Sequence, residues 1–166
     1  MSPAERAPDP SSTRRVQVRR TVVVPAAPAE VWARIATAEG IADELRPWLT
    51  MSMPRGLAAQ GLTADLVGRP LGRAWLRLGG VVPVEYDDLF LVEVDAPRRF
   101  HERSSMALAR SWEHRRDLEP AGPGHTRVTD LLVMEPRLPL PRAPLRSLID
   151  ALFAHRHRRL RRHFAR

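Results

Sequence analysis

The sequence predicts an α+β protein, a single antiparallel sheet of about six or seven strands with its helices gathered on one face. Three observations predict it. An alternating, β-branched stretch at residues 16–24 is followed directly by two short helical patterns. Six further stretches between 61 and 135 read as strands divided by turn residues. Residues 145–164 then carry one long helical stripe. A sheet of this kind buries both faces by curling around the last helix, which puts any ligand cavity on its concave side.

The elements follow in order. Residues 1–15 are polar, contain Pro3, Pro8 and Pro10, and lack periodicity, so they read as a disordered tail before one domain at 16–166. The first strand stops at Pro25-Ala-Ala-Pro28, and Pro28 suits the first turn of a helix whose apolar face is Val31, Trp32, Ile35 and Ala36. Gly40 is expected to end that helix. Residues 41–45 form a second short helix, closed before Pro47. Strands are expected at 61–67, 72–79, 83–94, 99–107, 110–119 and 126–135. Their separators are Gly68-Arg-Pro70, Gly79-Gly80, Asp95-Ala-Pro97 and 120–124. Pro136, Pro139, Pro141 and Pro144 mark a rigid connector. The final helix presents Leu145, Leu148, Ile149, Leu152, Phe153, Leu160 and Phe164, each contributing about 1.5–3 kcal/mol on burial before entropy is counted.

Length and composition narrow the class. The 166 residues suit one domain. With no Cys there is no disulfide framework, thiolate metal site or Cys nucleophile. No stretch approaches the roughly 18–20 apolar residues of a membrane span, and the N-terminal charges precede no apolar signal region. A soluble cytoplasmic domain is the expectation. The net charge of +8 comes from 27 basic residues, every one an Arg. A chain rich in Arg, Ala and Pro without Lys or Asn points to a high-GC, bacterial genome rather than to selection for phosphate, which Lys also binds well. The charge is concentrated at the ends: residues 1–20 hold five Arg and two acids, residues 154–166 six Arg and no acid, and the body between is nearly neutral.

Alternation assigns the inward side chains. In 111–119 the odd positions are polar, so Trp112, His114, Arg116 and Leu118 face in. Pairing residue 118 with 126 adds Val128, Asp130, Leu132 and Met134; a slip of two leaves the set unchanged, and a slip of one exposes Trp112. The even positions of 82–94 put Tyr86, Asp88 and Phe90 inside, and those of 100–106 put Phe100, Glu102, Ser104 and Met106 there. The polar members among these need partners, because an unpaired buried group costs about 1–3 kcal/mol and a charge more. On the last helix, Arg156 falls in the middle of the apolar stripe and is expected to pair with Glu102 or Asp130, as a structural anchor. Leu152 adds to the cavity wall from the same stripe.

His114 with Asp130 reads either as a structural pair or as an acid–base dyad, with Tyr86 as a third catalytic candidate. Trp112 and Tyr86 read either as core or as a ligand platform. The run at 155–163 reads as a solvated helix end whose cations complement the helix dipole. Nucleotide-cradling, zincin and nucleophile-elbow motifs are absent. His155 and His157 lie about 200° apart on a helix and cannot chelate one ion. No metal and no cofactor are expected.

The opening Val-Val-Val-Pro-Ala-Ala-Pro-Ala-Glu-Val-Trp-Ala-Arg-Ile resembles the first strand and helix of the SRPBCC superfamily, which includes START and birch-pollen-allergen-like proteins and polyketide cyclases. Later motifs resemble its bacterial ligand-binding branch. They are Pro97-Arg-Arg-Phe100 with Glu102, Trp112-x-His114, the Gly124-His-Thr126 turn with Asp130, and the helical Arg156-His-Arg-Arg-Leu160. The chain departs from that branch at His125 and in 104–109, which lacks a Gly-Pro. The resemblance implies a helix-grip fold, a curved sheet gripping the C-terminal helix around an apolar cavity. It implies no reaction.

The expected function is to bind a small hydrophobic molecule, a lipid, isoprenoid or polyketide, in that cavity. One alternative is a polyketide aromatase/cyclase in which His114, Arg116, Tyr86 and Asp130 hold enolates and move protons. Another is an interaction module whose basic C-terminal helix end touches an anionic membrane or nucleic acid. No specific nucleic-acid site is expected, and the oligomeric state stays open.

Overall fold

A computed structural model describes residues 15–166; the expected N-terminal tail lies outside them except for Arg15. Strand β1 (Val16–Val24) leads into helices α1 (Pro28–Ile35) and α2 (Ala38–Leu45). The short strand β2 (Leu49–Met51), helix α3 (Arg55–Gln60) and a 3-10 turn (Ala64–Leu66) follow. Then come β3 (Pro70–Leu78), β4 (Val82–Asp95), β5 (Arg99–Met106), β6 (Ala109–Pro120) and β7 (Thr126–Pro136). Helix α4 (Arg142–Phe164) closes the chain. Among the described residues the seven strands form one antiparallel sheet in the order β1-β7-β6-β5-β4-β3-β2, curved around α4.

Local chemistry accounts for most boundaries. Pro28 opens α1, and the Glu30 carboxylate accepts the backbone N–H of Ala27 at 2.9 Å, satisfying one of the donors a helix start leaves free. Gly40 does not end that helix, as expected from sequence, but lies in the first turn of α2. Thr37 caps α2 by accepting the Gly40 N–H at 3.0 Å. A Cβ at residue 40 would sit 1.9 Å from the Arg34 carbonyl, so the glycine serves close packing between two helices. Gly79 and Gly80 both have positive φ, 57° and 81°, at the centre of the tight turn in the three-residue β3–β4 hairpin loop, closed by the Val81 N–H donating to the Leu78 carbonyl.

The expected strand at 61–67 is instead a loop that carries the 3-10 turn, directly after α3. Leu57 of α3 and Leu62 and Leu66 of this segment all enter the core, and of 61–67 only Val67 makes a ladder contact, a single bridge to Leu91. The register of the last hairpin differs by two from the expected one: Leu118 faces Val128, and Trp112, His114 and Arg116 face Met134, Leu132 and Asp130. Inward parity survives a shift of two, so the inner set there is the expected one.

In β4 the parity is reversed. Asp87, Leu89 and Leu91 are buried on the inner face, and Tyr86, Asp88 and Phe90 belong to the outer one. A register shift between Leu91 and Glu93 is the cause: Leu91 pairs with Glu102 and Glu93 with His101, which leaves Val92 extra. One inserted residue swaps the faces on either side of it, so even-numbered Val94 still packs inward while the preceding stretch is inverted.

The buried apolar side chains form two clusters. One gathers α1, α3 and the central strands around Val31, Ile35, Leu57, Leu91 and Leu160. The other joins β1, β7 and the middle of α4 through Val18, Leu132, Ile149 and Phe153. The His114 ring spans them, edge-on to Phe100 and to Phe153 at 5.0 Å each.

Candidate functional site

A cavity of about 670 Å³ lies between the concave face of β2–β6 and helix α4. Its walls are mostly apolar: Leu45, Met51, Leu57, Leu76, Leu89, Leu91, Phe100, Trp112, Met134, Ile149 and Phe153. Trp48, 62 % exposed, and Leu148, 68 % exposed, line its rim, so the mouth presents large apolar groups to water.

Of the residues expected to line the cavity, Phe100, Glu102, Trp112, His114, Met134, Leu152 and Arg156 do so. Leu132 is buried in the second apolar cluster instead. Arg116 and Asp130 are 1 % and 0 % exposed and sit beneath the floor, each engaged by other side chains. Tyr86, Asp88 and Phe90 are not cavity residues, a correction that follows from the extra residue at Val92. On the outer face Asp88 accepts two hydrogen bonds from Arg73, at 2.8 and 3.0 Å, and the Arg73 guanidinium lies 3.8 Å from the Tyr86 ring centre.

Beneath the cavity floor lies a fully paired ionic network. Asp130 accepts four hydrogen bonds: from His114 Nε2 at 2.7 Å, Arg116 Nε at 2.7 Å, Arg116 Nη2 at 2.8 Å and His157 Nε2 at 2.6 Å. Arg116 also donates to both oxygens of Glu44, at 2.8 and 3.1 Å. Arg156 donates to Glu44 Oε2 at 2.9 Å, so its partner is this helix carboxylate and neither Glu102 nor Asp130 as expected. Its guanidinium also rests 4.7 Å from the Phe153 ring.

Burial and pairing compete across this network. Burial alone would raise the Asp130 pKa, but Arg116 and the hydrogen bonds from His114 and His157 hold it well below the usual value. Glu44 is likewise raised by burial and lowered further by Arg116 and Arg156, with a net lowering. His114 is lowered, because burial outweighs the attraction of Asp130. Such a network holds parts of the fold in register; its lone pairs and protons are already committed to each other.

Sequence reasoning missed Glu44 and His157. Glu44 follows Gly40 and Ile41 along α2 at the spacing of a buried stripe, and an acid in that position was the available signal. His157 lies between Phe153 and Leu160 at helical spacing, so it belongs inside. The C-terminal basic run is therefore only partly solvated. Arg156 and His157 are buried and Arg159 binds Asp43, whereas Arg158, Arg161 and Arg162 are exposed.

A second polar group lies on the cavity wall itself. Asp87 is 5 % exposed and its Oδ1 has no hydrogen-bond partner. Glu102 stands beside it and accepts from Ser104 Oγ at 2.8 Å. Burial, then the charge of Glu102, push the Asp87 carboxyl up to about 10. Glu85 also lines the cavity, but its carboxylate is taken by the backbone N–H groups of Tyr86, Ala107 and Leu108 at 2.8, 2.7 and 3.1 Å. Among the described residues no cluster of His, Asp and Glu is arranged to hold a metal ion, and no helix is long and apolar enough to cross a membrane.

A curved sheet gripping one long helix over an apolar cavity is a helix-grip fold, as the sequence predicts. Solved structures with this fold include a START superfamily protein from Mycobacterium smegmatis, 17% identical over 90% of this chain and 97% of that one, with a TM-score of 0.67. The Zhui aromatase/cyclase from Streptomyces sp. R1128 is 13% identical over 92% and 94%, with a TM-score of 0.66. Ara h 8.0201 is 11% identical over 91% and 98%, with a TM-score of 0.63. Identities this low establish the fold alone. No curated protein matches the chain. Residues 22–164 match the family described as "Domain of unknown function (DUF8410)", and the chain belongs to that family.

Proposed function

We propose that the protein binds a small hydrophobic molecule, such as a lipid, isoprenoid or polyketide, between the sheet and α4. The observation that carries this is the cavity: about 670 Å³, walled mainly by Leu, Met, Phe and Trp side chains, with an apolar rim at Trp48 and Leu148. Ligand pockets span about 300–1,000 Å³ and combine an apolar lining with a few orienting polar groups. Burial of an aliphatic ligand there supplies affinity at about 25 cal/mol per Å² of apolar surface, less the cost of immobilising it. Native mass spectrometry of the purified protein tests this directly. A co-purifying apolar molecule, or uptake of the neutral dye Nile red displaced by long-chain alcohols, is the expected result. A cavity left empty across a broad library of apolar compounds overturns it.

The aromatase/cyclase alternative draws support from the fold shared with Zhui. It asks that His114, Arg116, Tyr86 and Asp130 reach a bound substrate together. His114 lines the cavity, whereas Arg116 and Asp130 are sequestered below it and Tyr86 is on the other face. Binding is the reading these positions favour.

A further inference from the structure

Among the described residues, the Asp87–Glu102 carboxyl pair is the polar feature of the cavity wall that lacks a charge partner. Both residues line the cavity, and Asp87 is 5 % exposed with an unpartnered Oδ1. The carboxylate of Glu85 on the same strand is satisfied by three backbone N–H groups. The basic groups that line the cavity from other elements are bonded elsewhere or exposed. His114 of β6 is bonded to Asp130, His155 of α4 to the Arg46 carbonyl, Arg156 of α4 to Glu44, and Arg158 is exposed. Among the described residues no Arg or His forms an ion pair or hydrogen bond with Asp87 or Glu102.

An apolar cavity that keeps two adjacent carboxyls without a cation bears a high cost. A buried charge is tolerated when paired, and an unsatisfied acceptor loses the hydrogen bond it would have made to water. One proton shared between the two carboxyls relieves their mutual repulsion but still leaves the pair with a net negative charge and no cation beside it. A ligand group that brings both a positive charge and several N–H donors completes the set. An alkylammonium does so, with three donors on a compact cation. A hydroxyl supplies a donor without the charge, and a carboxylate supplies a like charge.

We infer that the Asp87–Glu102 pair is the headgroup subsite of the cavity and that its ligand is an apolar molecule ending in a protonated amine. This rests on the proposed ligand-binding function and gives it a chemical class. In that arrangement the hydrocarbon part lies among Leu89, Leu91, Met134 and Leu152, and the ammonium donates to the Glu102 carboxylate, with the buried Asp87 carboxyl beside it.

Competition against Nile red with three probes of equal chain length tests it: dodecylammonium, dodecanol and dodecanoate. The wild-type protein is expected to bind the ammonium about 10-fold or more tighter than the alcohol, in keeping with charge-assisted hydrogen bonds. The dodecanoate is expected to be the weakest of the three. Glu102→Gln is expected to abolish the preference, bringing the ratio of ammonium to alcohol affinity to about one. Equal wild-type affinity for ammonium and alcohol, or preference for dodecanoate, overturns the inference while the ligand-binding reading stands. Unchanged ammonium preference in a folded Glu102→Gln protein also overturns it. Failure to bind Nile red or any of the three overturns both. The wild-type comparison decides the matter even where a variant fails to fold.

Discussion

Glu44 and Arg116, 72 residues apart in sequence, meet through two hydrogen bonds of 2.8 and 3.1 Å with both side chains almost fully buried. This contact ties α2 to the centre of the sheet. Through Asp130 and Arg156 it extends to β7 and α4, so four elements, α2, β6, β7 and α4, share one set of charges. The geometry of the cavity floor depends on it.

Removing one member of this network leaves its partners buried and charged. Glu44→Gln is expected to destabilise the protein by about 3–5 kcal/mol, because Arg116 and Arg156 lose a compensating charge. Urea unfolding measures this. A loss below about 1 kcal/mol would show that water reaches the two guanidinium groups.

The same groups set the acid limit of stability. His114 is neutral in the fold, its pKa lowered by burial, and protonates in the unfolded chain below about pH 6.5. Stability is therefore lost as pH falls through that value. Asp130 and Glu44 have lowered pKa values, so their contribution is present above the unfolded carboxylate range near pH 4 and is lost as pH falls through their folded values. Unfolding free energy is expected to decline from about pH 6.5 downward, and His114→Gln to flatten the first part of that decline.

Asp87 acts in the opposite sense. Its carboxyl keeps a proton in the fold up to about pH 10, whereas the unfolded chain releases it near pH 4. The stability cost of holding that proton grows as pH rises between those values. Asp87→Asn carries no such cost, so its stability relative to wild type is expected to increase from pH 5 to pH 8, by at most about 1.4 kcal/mol per pH unit. A difference independent of pH would mean that Asp87 is ionised in the fold.

Filling the cavity separates binding from folding. Leu152 lines the cavity and is only partly buried, and a Trp there has open volume to enter. Leu152→Trp is expected to weaken Nile red binding about 10-fold or more with a stability change under about 1.5 kcal/mol. Undiminished binding would place the dye outside the cavity.

The convex face supplies the control. Tyr86→Phe leaves the cavity walls untouched and is expected to change ligand affinity less than about twofold, in contrast to Glu102→Gln. A large effect of Tyr86→Phe on binding would return that residue to the site.

The positions of these residues separate what is local from what is not. The inner faces of β5, β6 and β7 were legible because alternation with polar outer residues is a local period, insensitive to a register shift of two. The helical stripe of α4 was legible for the same reason, and with it the burial of Arg156. The inner face of β4 was not. The extra residue at Val92 is defined by its pairing with β5, and nothing in the stretch 82–95 marks it.

The sequence by itself determined the α+β class, the order of the main elements, the neutral body between basic ends, and the placement of Phe100, Glu102, Trp112, His114 and Met134 on one concave surface. Each follows from composition or from a side-chain period that a short segment carries alone. Only the tertiary structure decided that Arg156 answers to Glu44, that Arg116 and Asp130 lie beneath the cavity, and that Asp87 replaces Asp88 on its wall. Those outcomes depend on which distant segments meet, and a burial period specifies a face without specifying the partner that covers it.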